Sequence, residues 1–192
     1  EMRVIAGKAR RLLLKTVPGF DTRPTIDKIK ETLFNVLSPY VEGCNFLDLY
    51  SGSGSIGIEA LSRGARMSAF VDNNPKAVRV IRENLEHTGL AGDAVVLQKN
   101  ALAAINELAF RKLKFDIVYV DPPFAKGLYE ETLKALAASP IIDDETMVIL
   151  ETDKHETLPF ADESGFEITR RKDYKTIKHY FLRLKTPDDA QS

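Results

Sequence analysis

Short apolar runs alternate with helical stretches through most of this chain, and no other feature of the sequence constrains the fold as strongly. Parallel strands need long crossover connections, so strands that alternate with helices indicate an α/β fold with a mostly parallel sheet. Helices then cover both faces of that sheet. The predicted strands are 44–50, 67–72, 94–98, 115–120 and 146–150, and the predicted helices are 56–63, 75–87, 101–110, 129–138 and one that starts at Thr25 and is ended by Pro39.

The end of the chain breaks this alternation. Two strand-like stretches, 166–172 and 176–184, are too close in sequence for a helical crossover, so they predict an antiparallel hairpin at the edge of the sheet. The predicted architecture is therefore a seven-stranded, mostly parallel sheet with an antiparallel C-terminal hairpin and helices on both faces. We expect a basic N-terminal extension over 1–40, the main domain over 41–185 and a disordered tail over 186–192.

The net charge and the distribution of charged residues limit how this protein can bind nucleic acid. The net charge of −1 argues against a protein that coats nucleic acid indiscriminately. Basic residues are nevertheless concentrated in 1–30 and 165–185, each with a net charge of +5, and such clusters attract a polyanion.

A single cysteine and three scattered histidines exclude a disulfide framework and a Cys/His zinc site, so we predict no metal. No apolar run reaches the roughly 18 residues of a membrane span and no signal pattern is present, so we expect a soluble, cytoplasmic protein.

A glycine-rich turn lies between the first predicted strand and the helix after it. Gly52, Gly54 and Gly57 form a G-x-G-x-x-G pattern, which lets a nucleotide-like ligand approach the backbone and the unpaired N–H groups of a helix start. Asp48 ends the strand, and its carboxylate would repel the pyrophosphate of a dinucleotide. It would attract the ammonium and the sulfonium of S-adenosylmethionine, so we predict that cofactor. Asp72, which ends the second strand, is placed to accept hydrogen bonds from the ribose hydroxyls.

The segment Asp121-Pro-Pro-Phe124 follows the fourth predicted strand, at the sheet edge where open α/β folds bind ligands. Its prolines stiffen the loop, which presents a carboxylate, a carbonyl and an aromatic ring. An exocyclic amine of a nucleobase is a poor nucleophile because its lone pair is delocalised into the ring. Hydrogen bonds from its two N–H groups to Asp121 and the Pro122 carbonyl would free that lone pair, while Phe124 stacks on the base. We therefore predict methyl transfer to such an amine, with Asp121, Pro122, Pro123 and Phe124 as the catalytic residues.

These motifs resemble those of the class I methyltransferases that modify exocyclic amines, and the whole chain is similar to the RsmD-like family of bacterial methyltransferases. The segments that carry the resemblance are 2–8, 22–25, 30–37 with Lys28, 47–60, 71–74 and 121–124. The resemblance implies a Rossmann-like class I methyltransferase fold and S-adenosylmethionine as the cofactor. It also implies a monomer whose substrate is the N2 amine of one guanine in 16S rRNA, within the assembled or assembling small ribosomal subunit.

The motifs and the resemblance together give two sets of candidate site residues. The predicted cofactor-binding residues are Asp48, Tyr50, Ser51, Gly52, Gly54, Gly57, Asp72, Asn73, Asn100, Ala101 and Asp121. Asn100 departs from the family pattern, because many relatives carry an acid there to receive the adenine amino group, but an amide oxygen also accepts that bond. The residues implied to contact RNA are Arg3, Lys8, Arg10, Arg11, Arg23 and Lys28. His179, in the basic hairpin, is expected at the surface or in contact with RNA.

Three other functions stay open on the sequence alone. The Asp-Pro-Pro-aromatic loop does not distinguish amines well, so the acceptor could be N6 of adenine or another exocyclic amine in DNA or RNA. The glycine loop alone would also suit an NAD-dependent oxidoreductase, which would bind NADH more tightly than S-adenosylmethionine. The basic segments alone would suit a non-enzymatic RNA-binding module, which would bind RNA tightly and have no affinity for the cofactor.

Overall fold

The computed structural model describes residues 2–19, 25–123 and 127–188, except for the side chains of Thr25 and Ile26. Two predicted site residues, Arg23 and Phe124, and the last four residues of the predicted tail lie outside these ranges. The chain forms two compact units, Glu1–Asn100 and Ala101–Ser192.

The described part of the first unit is a parallel sheet flanked by helices. Its elements are α1 (Thr25–Val41), β1 (Asn45–Asp48), α2 (Ser55–Ser62), β2 (Met67–Asp72), α3 (Pro75–Thr88) and β3 (Ala94–Gln98). β1 pairs with β2 and β2 pairs with β3, both in parallel register. Phe34, Phe46 and Phe70 are fully buried in its apolar core. Seven of the eight residues of α2 are also buried, so this helix lies in the interior of the unit.

The second unit combines parallel and antiparallel pairing. Its elements are α4 (Ala101–Phe110), β4 (Ile117–Val120), α5 (Leu128–Ala137), β5 (Met147–Asp153), β6 (Phe166–Asp173) and β7 (Ile177–Leu184). β4 and β5 are parallel, whereas β7 is antiparallel to both β5 and β6. Because β7 has a strand on each side, most of its residues are buried, while β6 is exposed along most of its length.

The described residues form seven strands, in the order β3-β2-β1 in the first unit and β4-β5-β7-β6 in the second. This order confirms the predicted fold class, with parallel pairing first and an antiparallel hairpin at the end of the chain. β6 lies at the edge of the sheet, as the sequence predicted for the hairpin. No helix within the described ranges is long and apolar enough to cross a membrane.

Several predicted boundaries were wrong. α1 is not ended by Pro39 but continues to Val41, because a proline in the last turn of a helix removes only one late hydrogen bond. β1 ends at Asp48, since the next residues already belong to the turn that leads to α2. β5 extends beyond Leu150 to Asp153, because its last residues pair with β7.

Candidate active site

The glycine loop between β1 and α2 is held in place by a serine at its start. The Ser51 hydroxyl donates to the Asp48 carbonyl (2.7 Å) and accepts the Val71 N–H from β2 (3.0 Å). Gly54 then adopts φ 83°, a left-handed conformation that glycine takes without strain, and it caps the start of α2. The loop is therefore fixed to two neighbouring strands by bonds within the protein.

The glycines of this loop have different roles. A Cβ atom on Gly57 would lie 2.4 Å from the Phe70 ring, so only glycine lets α2 pack this closely against β2. A Cβ atom on Gly52 would meet nothing within 4 Å, so the backbone there borders open space. The sequence motif thus combines a packing glycine with one whose outer side is accessible to a ligand.

Asp48 is buried (1% exposed) at the N-terminus of α2. Its Oδ2 accepts the Gly57 N–H at 3.3 Å. The partial positive charge of the helix N-terminus favours a carboxylate at this position. The Gly57 N–H is therefore engaged by Asp48, and a phosphate brought to this helix start would be repelled by the Asp48 charge.

Asp72 joins the glycine loop to the loop after β2. Its Oδ2 accepts the Gly52 N–H (2.9 Å) and its Oδ1 accepts the Asn74 N–H (2.9 Å). Asn74 in turn caps α3 by accepting the Lys76 N–H. Asp72 is partly exposed, and a carboxylate has more lone pairs than these two bonds use. It can therefore accept further hydrogen bonds from a ligand.

Direct contacts join six of the eleven predicted cofactor-binding residues: Asp48, Ser51, Gly52, Gly54, Gly57 and Asp72. Asp121 follows β4 and is described below, and the other four lie around or beyond this loop. Tyr50 is half-buried, Asn73 and Asn100 are exposed, and Ala101 is buried at the start of α4. Within the described ranges, no group of three or more His, Cys, Asp or Glu side chains is arranged to hold a metal ion.

The predicted catalytic loop starts where β4 ends. Asp121 is partly exposed, Pro122 is buried and Pro123 is exposed. Val120, the last residue of β4, is the register partner of Leu150 on the parallel strand β5, and Asp121 and Glu151 directly follow these two residues.

Sequence reasoning missed Glu151 and its partners. Glu151 Oε1 accepts the Tyr119 hydroxyl at 2.6 Å and lies 2.8 Å from His179 Nε2. Burial on its own would raise the pKa of Glu151. The hydrogen bond and charge of His179, with smaller effects from the hydrogen bonds of Tyr119 and Asp121, hold that pKa below its ordinary value. Glu151 is thus an ionised acceptor for several donors.

The expectation that His179 lies at the surface was wrong, because its side chain is 0% exposed. β7 is an inner strand, and His179 is the register partner of Glu151 on β5. The apolar residues Tyr180, Phe181 and Leu182, which directly follow His179, indicated an inner strand. The basic residues of the hairpin led instead to the prediction of an exposed strand. His179 Nδ1 is buried and has no hydrogen-bond partner among the described residues.

Tyr129 of α5 packs over the same region. Its hydroxyl donates to the Glu151 carbonyl at 3.3 Å, and the residue is 9% exposed. Burial, and then the negative charges of Asp121 and Glu156, raise the pKa of Tyr129. The phenol therefore keeps its proton and acts as a donor.

Residues 2–14 form a turn that packs on α2. The Ile5 and Ala6 N–H groups donate to the two carboxylate oxygens of Glu59 (2.8 and 3.1 Å), and the Ala9 N–H donates to the Ser62 hydroxyl (3.0 Å). The turn is therefore attached to the core of the first unit through its backbone. Five of the predicted RNA-contacting residues are exposed on this turn or at the start of α1: Arg3, Lys8, Arg10, Arg11 and Lys28.

Lys30 is a buried cation beneath this turn. Its Nζ donates to the Arg3 carbonyl (2.6 Å) and the Ser55 hydroxyl (3.0 Å), and it lies 3.5 Å from Glu59. Burial lowers the pKa of Lys30, although the charge of Glu59 acts in the opposite direction. Lys30 thus links the N-terminal turn, α1 and the first residue of α2.

Comparisons with known proteins match this architecture. Residues 2–183 fit the model of a family described as Conserved hypothetical protein 95. The chain is 37% identical over 161 residues to Ribosomal RNA small subunit methyltransferase D of Escherichia coli K12, which covers 83% of this chain and 78% of that protein. The solved structure of the putative methyltransferase yhhF from E. coli superposes with a TM-score of 0.81 and 32% identity, over 96% of this chain and 98% of that one.

A more distant structure shares the fold. It is a 16S rRNA N2 methyltransferase of T. thermophilus in complex with AdoMet and guanosine, with a TM-score of 0.69 and 21% identity over 88% of this chain and 45% of that one. The family model covers nearly the whole chain, and the resemblance inferred from the motifs is confirmed. The chain belongs to the Conserved hypothetical protein 95 family and is an RsmD-like methyltransferase.

Proposed function

We propose that this chain transfers a methyl group from S-adenosylmethionine to the exocyclic N2 amine of one guanine in the 16S rRNA of the small ribosomal subunit. The observation that carries the proposal is the Asp48 carboxylate at the N-terminus of α2. A carboxylate there opposes a phosphate-bearing cofactor and favours a cationic one. The names of the E. coli relative and of the T. thermophilus neighbour support the RNA substrate and the N2 position.

The residues of the glycine loop fit this cofactor. The open side of Gly52 leaves room beside the backbone, and Asp72 has lone pairs left for ribose hydroxyls. The negative charge of Asp48 suits the ammonium of the methionine part. When bound, S-adenosylmethionine supplies an electrophilic methyl group on a positively charged sulfur. The residues proposed to complete the site are Tyr50, Ser51, Gly54, Gly57, Asn73, Asn100, Ala101 and Asp121.

Asp121 and Pro122 would bind the amine that receives the methyl group. One oxygen of Asp121 and the Pro122 carbonyl accept the two N–H hydrogens, which draws the nitrogen towards tetrahedral geometry and makes its lone pair available. Pro123 keeps the loop rigid, because proline fixes its own backbone φ angle, and Phe124 stacks on the base. Positioning and electrostatics then supply most of the rate.

The exposed basic residues around the N-terminal turn would bind phosphates of the RNA. They are Arg3, Lys8, Arg10, Arg11 and Lys28, with Arg23 as a further proposed member. Since they form only a small surface, we propose that recognition relies on the shape of a folded ribonucleoprotein. We further propose that the protein acts as a monomer in the cytoplasm.

The proposal is tested with small subunits that lack their native methyl groups and with labelled S-adenosylmethionine. Asp121→Ala is expected to lower the rate of label transfer by about a thousandfold, while the cofactor still binds through the residues of the glycine loop. Asp144→Ala, which removes an exposed aspartate of the second unit outside the proposed site, serves as the control. Equal rates for Asp121→Ala and wild type would reject the proposed catalytic role.

A further inference from the structure

The hairpin formed by β6 and β7 carries positive charge that the function proposed above does not use. Residues 165–185 contain seven basic and two acidic side chains, which gives a net charge of +5. β6 lies at the edge of the second unit's strands, and its residues 168–173 are all exposed. The hairpin thus presents an exposed basic strand to the surroundings.

Most of the basic residues of this segment already have partners within the protein. Arg171, Arg183 and Lys185 form ion pairs, whereas Lys178 is buried and donates to a hydroxyl group. Their respective partners are Asp173, Glu167, Asp162 and Tyr180. The charges of these four residues therefore contribute little to attraction of an external partner.

The other three basic residues, Arg170, Lys172 and Lys175, are exposed. Within the described ranges, no carboxylate forms an ion pair with any of them. The guanidinium of Arg170 lies 5.9 Å from the centroid of the Phe181 ring, so its position is supported by a cation–π contact. These three cations, here called the hairpin cations, are available to bind an anion.

Strand register places the hairpin cations at the same end of the second unit as the proposed catalytic loop. Asp121 and Glu151 directly follow the last register pair of β4 and β5. Glu151 is paired with His179 on β7, and His179 is paired with Lys172 on β6. Lys172 is therefore three strands away from Asp121, about 14 Å at the usual spacing of neighbouring strands. Lys175 lies in the turn between β6 and β7, at the same end.

Two of the hairpin cations also lie on the face of the strands that carries Glu151. Residues directly opposite each other on antiparallel strands share a face. Lys172 is opposite His179, whose Nε2 lies 2.8 Å from Glu151 Oε1, and Arg170 is opposite Phe181. The cations therefore border the approach to the catalytic loop from the outer edge of the second unit.

The composition of β6 favours a polyanion over a protein strand as the partner. A peptide that added a strand to β6 would need apolar pockets for its alternate side chains. Of the residues of β6, all of which the structure describes, only Ile168 is large, apolar and exposed. Lysine and arginine on an edge strand also oppose pairing with another chain. The phosphates of RNA need only the cations.

We propose that Arg170, Lys172 and Lys175 bind phosphates of the RNA on the nucleotides that flank the target guanine. This inference rests on the function proposed above and adds a second RNA-binding surface to the N-terminal turn. Phosphate contacts position an RNA and do not read its bases. Loss of the hairpin cations therefore weakens binding of the RNA and leaves the methyl-transfer step unchanged.

The test compares the wild type with a triple variant that carries Arg170→Gln, Lys172→Gln and Lys175→Gln. Binding to naked 16S RNA and to small subunits that lack their native methyl groups is titrated at several salt concentrations. We expect the slope of log K against log salt to fall in magnitude by about 2 in the triple variant. The KM for the subunits is expected to rise about tenfold, while kcat and the affinity for S-adenosylmethionine stay at wild-type values.

The matched control removes three exposed basic residues from the opposite end of the second unit. Arg111, Lys112 and Lys114 lie between α4 and the start of β4 and are replaced together by glutamine. The salt slope and the KM of this control are expected to follow those of the wild type. An effect equal to that of the hairpin variant would show that any loss of charge acts alike, and would overturn the inference.

A charge-conserving variant with Arg170→Lys, Lys172→Arg and Lys175→Arg is expected to keep the wild-type salt slope, because the phosphate contacts depend on charge. An unchanged slope and KM in the glutamine variant would overturn the inference. A loss of affinity for the subunits without a loss for naked RNA would also overturn it, because the partner would then be a protein of the subunit. Absence of methyl transfer by the wild type, with RNA binding that still depends on the hairpin cations, would reject the proposed function alone.

Discussion

Each unit of the chain contains a buried cluster of charged side chains, and the two clusters differ in how fully their polar atoms are paired. In the first, both carboxylate oxygens of Glu59 accept backbone N–H groups, while Lys30 and Arg63 balance the charge. In the second, Glu151 takes several hydrogen bonds, but His179 Nδ1 has no partner within the described ranges. A fully paired cluster stabilises the fold, whereas a buried polar atom without a hydrogen-bond partner costs free energy.

The largest effect on stability is expected from the first cluster. Lys30→Met leaves the charge of Glu59 buried with one cation fewer, and we expect the free energy of unfolding to fall by about 3 to 5 kcal/mol. Urea denaturation followed by circular dichroism measures it. Lys15→Met, which breaks an exposed ion pair with Glu83, is the control and is expected to cost less than about 1 kcal/mol. Equal losses for the two variants would show that the Lys30 cluster does not hold the first unit together.

A smaller loss is expected where the glycine loop meets the core. The added Cβ of Gly57→Ala would lie 2.4 Å from the Phe70 ring, and we expect a loss of about 1 to 3 kcal/mol from this overpacking. In the double variant Gly57→Ala with Phe70→Leu, the two losses should be less than additive, because the smaller side chain relieves the contact. Additive losses would contradict the assignment of Gly57 as a packing residue.

The second cluster is expected to contribute less to stability and to do so in a pH-dependent way. The folded pKa of Glu151 lies below its ordinary value of 4.5, so its stabilising contribution is complete above pH 4.5 and is lost as the pH falls through the folded pKa. At neutral pH, Glu151→Gln should lower the free energy of unfolding, because the hydrogen bonds of an amide are weaker than those of a carboxylate. Chemical denaturation at neutral and at acidic pH should show this difference shrinking in acid. A difference that stays constant with pH would contradict the ionised state assigned to Glu151.

The smallest effect on stability is expected for the exposed basic turn. Replacing Lys8, Arg10 and Arg11 together by alanine should change the free energy of unfolding by no more than about 0.5 kcal/mol. RNA binding should weaken, and the slope of log K against log salt should fall in magnitude by about 2 to 3. Titrations at several salt concentrations test this. An unchanged slope would remove these three residues from the proposed RNA surface.

Local patterns in the sequence were enough to predict the fold class and the glycine loop. The strand–helix alternation and the positions of Gly52, Gly54 and Gly57 depend on near neighbours in the chain, which is why they could be recognised. The Lys30–Glu59 pair and the Glu151–His179 pair could not, because each joins residues 28 or more positions apart. Which residues form these pairs depends on strand pairing and helix packing. The burial of His179 could therefore not be predicted from the basic residues of its hairpin.

The proposed reaction is tested most directly by nucleoside mass spectrometry of 16S rRNA after small subunits that lack their native methyl groups are incubated with the protein and S-adenosylmethionine. Naked 16S RNA and DNA are treated in parallel. We expect new N2-methylguanosine in the RNA of the subunits. New N6-methyladenine in any sample, or no new methyl group in the subunits, would contradict it.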